Sequence, residues 1–214
     1  MPYEENDCNA EEVAVTQGSS QSVVLFAPAN RGSSCSLGKP ATLPHEILVH
    51  ELVHSLRRVS GHMHQNWLNN KLGLISGYGN TEEFLAILVT NIFISDVTNP
   101  HKTSLRAGWA GHGALDLELA DSFRFLSLGT PAFNIVANFC NENPGFTRML
   151  TTVSARFNPI AAYYKNPHKA FEMAANGDAE NVVEGMTPHD YVRNGGVWER
   201  IIPYKGPGPK LGAP

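Results

Sequence analysis

The residues with the clearest chemistry lie in the motif H-E-L-V-H at positions 50–54. On a helix of 3.6 residues per turn, His50 and His54 lie one above the other, so both imidazoles can bind one metal ion. Glu51 lies about 100° round the helix, where its carboxylate can reach a metal-bound water without taking a ligand position. The motif therefore predicts a catalytic zinc ion, with Glu51 as the general base.

The sequence around the motif predicts that it lies on a buried helix. Apolar residues fill most positions between the ionisable ones, and Pro44 stands in the first turn, where its missing N–H costs nothing. Thr42 is the expected N-cap and Ser60-Gly61 the expected end, so the helix should run from Pro44 to Val59. Buried His and Glu side chains need partners, and a metal ion would supply one.

A catalytic zinc ion usually has three protein ligands and one water, so a third ligand must come from elsewhere. The metzincin pattern requires Gly and His three and six residues after His54, but Arg57 and Ser60 occupy those positions. That class of peptidase is therefore excluded. His62 and His64 follow the helix closely, yet their glycine-containing surroundings are more typical of a solvated loop.

An acidic pair offers a better source for the third ligand. Glu82 and Glu83 open a second predicted helix, which begins near Thr81 and continues to about Ile94. Acidic residues also occur in the first turn of helices because the helix dipole favours negative charge there. One acid of the pair could therefore bind zinc while the other has only this local role.

The second helix carries a resemblance to a known group. E-F-L-A at residues 83–86 is similar to the E-F-F-A segment on the ligand-bearing helix of the anthrax lethal factor peptidase domain, and Y-G-N-T at residues 78–81 is similar to the approach to that helix. Residues 24–54 resemble metallopeptidase effectors that bacteria deliver through type III and type VI secretion systems. The resemblance covers roughly residues 22–96 and implies a gluzincin site, in which Glu83 is the third ligand.

The resemblance implies a zinc metallopeptidase that acts on a protein or peptide and that an immunity or inhibitor protein could block. Such a chain would be cytoplasmic before its delivery by a secretion system. The interval between the two helices is shorter here than in lethal factor, which affects the expected substrate more than zinc binding. Two alternatives stay open: a zinc amidase that acts on cell-wall peptides, and a catalytically silent zinc-binding interaction domain.

Peptide hydrolysis needs a further donor for the oxyanion of the tetrahedral intermediate. Tyr78 is the preferred candidate, by its position before the second helix and by the resemblance. Arg106, His112 and Tyr191 are the other candidates, and the first two lie in a glycine-containing loop. In zincins an extended peptide lies against an exposed strand edge, a role that the resemblance gives here to residues 23–27.

Composition excludes two other classes of partner. The net charge is −4 and the 16 Lys and Arg residues are dispersed, so no basic stripe is available for nucleic acid. No apolar segment reaches the roughly 18 residues of a membrane span, and the acidic start of the chain does not resemble a signal peptide. Three cysteines are too few for a disulfide framework, although a single Cys8–Cys35 bridge could form.

The remaining pattern predicts an α+β fold that is mainly helical, with a small sheet, as in zincin-like peptidase domains. Ser22–Ala27 is β-branched and aromatic and is the expected strand, preceded by an arm or short strand within residues 1–20. Further helices are expected at about Leu115–Leu126, Pro131–Cys140, Gly145–Arg156 and Pro167–Ala175. Residues 1–205 should form one domain, and the Gly- and Pro-rich residues 206–214 a disordered tail.

Overall fold

In the computed structural model, the described residues are 11–14, 20–26, 39–64, 66–68, 75, 77–100, 104–109, 113–116 and 120–180. Several predicted features lie outside them. These are the Cys8–Cys35 bridge, the candidate donors His112 and Tyr191, and the tail at residues 206–214.

Helices dominate the described part of the chain, which confirms the prediction of a mainly helical protein. Two short antiparallel strands come first, with Val13 paired to Val23. The strands are β1 (Glu11–Ala14) and β2 (Ser22–Leu25). The helices are α1 (Pro44–Val59), α2 (Thr81–Ile94), α3 (Ser122–Leu126), α4 (Thr130–Glu142), α5 (Pro144–Leu150), α6 (Pro159–Lys165) and α7 (Pro167–Glu180).

Helix α1 has the bounds that the sequence predicts, but its first turn is capped differently. The backbone N–H of Leu43 donates to the Glu46 carboxylate at 3.0 Å. An acid inside the helix thus provides the hydrogen-bond acceptor for the N–H group just before the helix. The Thr42 hydroxyl instead donates to the Lys39 carbonyl at 2.7 Å, and the prediction of Thr42 as the N-cap was wrong. At the other end Gly61 adopts a positive φ of 72°, which the chain needs to turn away.

Helix α2 also confirms its predicted range, and it is the central element of the core. Asn80 caps it, because its side-chain oxygen accepts hydrogen bonds from the N–H groups of Glu82 and Glu83, both at 2.9 Å. The helix is buried on nearly all sides and packs against α1 on one side and α4 on another. Phe84 begins an aromatic row that continues through Phe125 and Phe157.

The second half of the chain departs from the predicted helices in two places. Residues 151–156 are not helical, because backbone bonds from this segment run to the end of α2, including Arg156 N–H to the Ser95 carbonyl at 3.0 Å. Leu115 is not helical either, since its N–H donates to the Leu105 carbonyl at 2.7 Å. In both places tertiary pairing overrides local helix propensity.

Two other helices differ in extent or were not predicted. Helix α6 was missed, although Asn158 caps it through the Ala161 N–H at 2.9 Å and Pro159 occupies its first position. These are ordinary helix-start residues and could have been recognised. Helix α7 begins at Pro167 as predicted and continues beyond Ala175 to Glu180.

Candidate metal centre

Two imidazoles project from one face of α1 towards α2. His50 and His54 are both buried, and their Nε2 atoms lie 3.2 Å apart. The four-residue spacing produces this approach, because one helical turn stacks the two side chains. Two buried nitrogen atoms therefore point at one small volume between the helices.

The first turn of α2 adds a carboxylate to the same volume. Glu83 Oε2 lies 3.1 Å from His50 Nε2, and Glu83 Oε1 lies 3.4 Å from His54 Nε2. The Asn80 cap fixes the start of the helix and hence the direction in which Glu83 points. The three side chains form a group that could hold a metal ion.

The spacing of this group fits a zinc ion. Ligand atoms about 2.0–2.1 Å from a tetrahedral zinc ion are separated from each other by roughly 3.3 Å. The two Nε2 atoms are 3.2 Å apart, and each lies close to one oxygen of Glu83: Oε2 is 3.1 Å from His50 Nε2 and Oε1 is 3.4 Å from His54 Nε2. The Nδ1 atoms of His50 and His54 have no hydrogen-bond partner in the described part of the chain, so the helices themselves orient the rings there.

The electrostatics of the group favour a bound cation. Burial lowers the pKa of His50 to about 4, so its ring is neutral at physiological pH. Burial also opposes the charged forms of His54 and Glu83. The hydrogen bonds and charge between them outweigh that effect, which raises the pKa of His54 and lowers that of Glu83. Glu83 is therefore an anion, and His50 offers a free lone pair.

Glu51 stands beside the group without joining it. Burial raises the pKa of its carboxyl group to about 7. The backbone N–H of Glu12, on β1, donates to Glu51 Oε2 at 2.9 Å. Arg58 anchors this strand through a two-bond pair with the Glu12 carboxylate, at 2.6 and 2.8 Å. A carboxyl group held in this way can exchange a proton near neutral pH.

No protein-family model matches the chain, and no curated protein or solved structure matches it either. Within the described ranges, no helix is long and apolar enough to cross a membrane. The resemblance to metallopeptidases thus rests on the motifs alone.

The neighbouring acid has a different partner. Glu82 receives two hydrogen bonds from the Arg57 guanidinium, both at 3.0 Å, and another from the His64 N–H at 2.7 Å. Glu82 is 1% exposed, so protein groups rather than water surround its carboxylate. Glu82 is therefore bound to Arg57, a partner that the sequence did not indicate, and neither Glu82 nor His62 nor His64 belongs to the group around His50.

Two candidate oxyanion donors, Tyr78 and Arg106, lie among the described residues, and both are buried. Tyr78 is 2% exposed, its ring packs edge-on against Phe84, and its hydroxyl has no hydrogen-bond partner among the described residues. Burial raises the pKa of Tyr78, so the hydroxyl keeps its proton. Arg106 is also buried, and its charge acts on both His50 and Glu83. Of the two, Arg106 has the clearer electrostatic link to the group.

Strand β1 hydrogen-bonds to the candidate base, whereas the role of residues 23–27 as a strand edge for an extended peptide stays a prediction. Glu12 on β1 contacts Glu51 through its backbone, while β2 meets α1 at the Ser22–Ser55 hydroxyl pair, 2.5 Å apart. The sequence did not predict the contact between β1 and Glu51, because the donor is a backbone N–H, which every residue except proline has.

Proposed function

We propose that this chain is a zinc-dependent metallopeptidase of gluzincin type, with zinc held by His50, His54 and Glu83. The observation that carries the proposal is the carboxyl group of Glu51, which lies beside the group of three ligands without being one of them. A structural zinc site normally has four protein ligands and needs no base, whereas a catalytic site has three and leaves one position open. The zincin-like fold and delivery as a bacterial effector are parts of the same proposal and rest on the resemblance.

The chemistry is divided between the metal and the chain. A zinc ion in this site would supply Lewis acidity, which lowers the pKa of water and polarises a substrate carbonyl. Glu51 accepts the proton of the attacking water and passes it to the leaving amine. Its raised pKa suits this double role, because a carboxyl group that titrates near pH 7 can both accept and donate. Tyr78, whose hydroxyl keeps its proton, would stabilise the oxyanion.

Zinc content and hydrolysis of a mixed protein substrate test the proposal together. Glu51→Ala should keep zinc and lose hydrolysis, because the carboxylate is not a ligand, whereas His50→Ala should lose both. His64→Ala is the matched control, since this histidine is exposed and lies outside the group. It should retain both properties.

Three results would separate the alternatives. Equal zinc content in the native chain and His50→Ala would contradict the ligand assignment. A zinc-loaded native chain that cleaves cell-wall peptides but no protein would indicate an amidase. A zinc-loaded chain with no hydrolysis of either substrate would favour a silent binding domain.

A further inference from the structure

Arg106 is a buried cation with no acidic partner within salt-bridge distance in the described part of the chain. It is 7% exposed, and its Nε and Nη2 atoms donate to the carbonyls of Gly108 and Trp109 at 2.7 and 2.6 Å. A guanidinium has five N–H donors, so three are left over from these contacts. By contrast, Arg57 and Arg58 on α1 both pair with carboxylates.

The backbone around Arg106 runs along α2 towards the candidate site. Asn91 holds it at the third turn of the helix, accepting from the Arg106 N–H at 2.8 Å and donating to its carbonyl at 2.9 Å. The Trp109 N–H then donates to the Gly77 carbonyl at 3.0 Å, just before α2 begins. The segment from Arg106 to Trp109 therefore leads to the helix end that carries Glu83.

Close backbone packing fixes this segment in place. A Cβ atom at Gly108 would lie 2.6 Å from the Gly77 carbonyl oxygen, so only glycine fits there. Gly79 has a φ of 79°, and a Cβ atom there would lie 3.8 Å from the Trp109 side chain. Trp109 itself is 56% exposed, which makes it part of the surface beside the site.

Charge effects link the Arg106 guanidinium with the catalytic groups. Burial lowers the pKa of Arg106, and the negative charges of Glu83 and Glu51 partly oppose that lowering. Burial raises the pKa of the Tyr78 hydroxyl, and the charge of Arg106 opposes that rise. With a divalent ion bound, the two carboxylates would balance the metal, and the charge of Arg106 would be left in excess. Such a site attracts an anion.

We propose that Arg106 binds a carboxylate of the substrate. The inference rests on the proposed function and gives it a substrate class: peptides with an acidic group close to the scissile bond. The forked guanidinium matches a carboxylate in shape and charge, and the spare N–H donors of Arg106 can form two parallel bonds to it. The carboxylate could come from an Asp or Glu side chain or from the free C-terminus of a peptide.

Peptide binding, measured without cleavage, tests this specificity. Glu51→Gln is the zinc-loaded parent, and its ligands are labelled hexapeptides, amidated at the C-terminus, with Glu or Gln placed at each position in turn. Fluorescence anisotropy should show about tenfold tighter binding of Glu than of Gln at one position. A second pair, with a free or an amidated C-terminus, distinguishes the two sources of the carboxylate.

Arg106→Gln in the same parent should abolish the preference while zinc content stays constant, and Arg106→Lys should keep part of it. Lys165→Gln, which removes an exposed cation on α6, is the matched control and should keep all of it. If the parent shows no preference for either carboxylate, or if the preference survives in Arg106→Gln, the inference is overturned. A native chain that hydrolyses no peptide would instead refute the proposed function, because binding does not depend on Glu51.

Discussion

Glu82 and Glu83 are consecutive residues of α2, yet they belong to two different polar clusters. Glu82 faces the Arg57 guanidinium, whose other contacts include Glu142 at 2.5 Å. Glu83 faces His50 and His54, and neither ring provides the permanent positive charge that Arg57 provides. The same two helices thus contain one cluster with a permanent cation and one without.

The difference shows how a fold can place two neighbouring acids in different surroundings, one in an ion pair and one beside two histidines. Arg57 lies three residues after His54, so α1 presents the histidine pair and the arginine to successive positions of α2. The Arg57–Glu82 pair fixes the two helices against each other, because a buried guanidinium with several bonds tolerates little displacement. Glu83 is held by that frame, and a metal ion would complete its cluster.

Removing Arg57, the cation of the Glu82 cluster, should have the largest effect, and that effect is on stability. Arg57→Met should lower the free energy of unfolding by about 3–5 kcal/mol, because it leaves the buried Glu82 carboxylate unpaired. Arg156→Met is the matched control: its side chain is exposed, so the loss should be about 0.5 kcal/mol or less. Denaturant unfolding of the zinc-free chains measures both, and equal losses would contradict the assigned role of Arg57.

At the cluster of His50, His54 and Glu83, protons should compete with zinc. This competition should have a smaller effect, and that effect is on zinc affinity. Because the pKa of His54 is raised above 6.5 in the zinc-free chain, zinc must displace its proton at lower pH. Zinc affinity should therefore fall by about tenfold for each pH unit below that pKa and level off above it. His50 adds no such competition until about pH 4.

Zinc titrations of Glu51→Gln, in which this carboxyl group cannot contribute a proton, measure the slope directly. An affinity that does not change between pH 5 and pH 7 would contradict the account of His54.

Local signals allowed much of this arrangement to be predicted from the sequence. Pro44, Gly61 and the apolar periodicity define α1, and the polar start of α2 defines the second helix, so the positions of the two histidines and of both acids follow. The choice between Glu82 and Glu83 required the resemblance, because the partner that engages Glu82 is Arg57 on another helix. Only the packed structure brings these side chains together.

The regions that were predicted wrongly depend on distant contacts. Residues 151–156 and Leu115 have helix-compatible sequences, but their backbone groups pair with residues 95–97 and with Leu105. The approach of Glu12 to Glu51 has the same origin, since β1 is 39 residues away in sequence. Residue types and spacing do not encode such pairings.

The central claim is that Glu83, and not Glu82, completes a zinc site with the two histidines. Zinc dissociation constants of Glu83→Gln and Glu82→Gln, both checked for folding by circular dichroism, test it most directly. Loss of a ligand should weaken zinc binding about a hundredfold or more in Glu83→Gln, and loss of the Arg57 partner less than about tenfold in Glu82→Gln. Equal weakening in the two variants, or a larger effect at Glu82, would contradict the assignment.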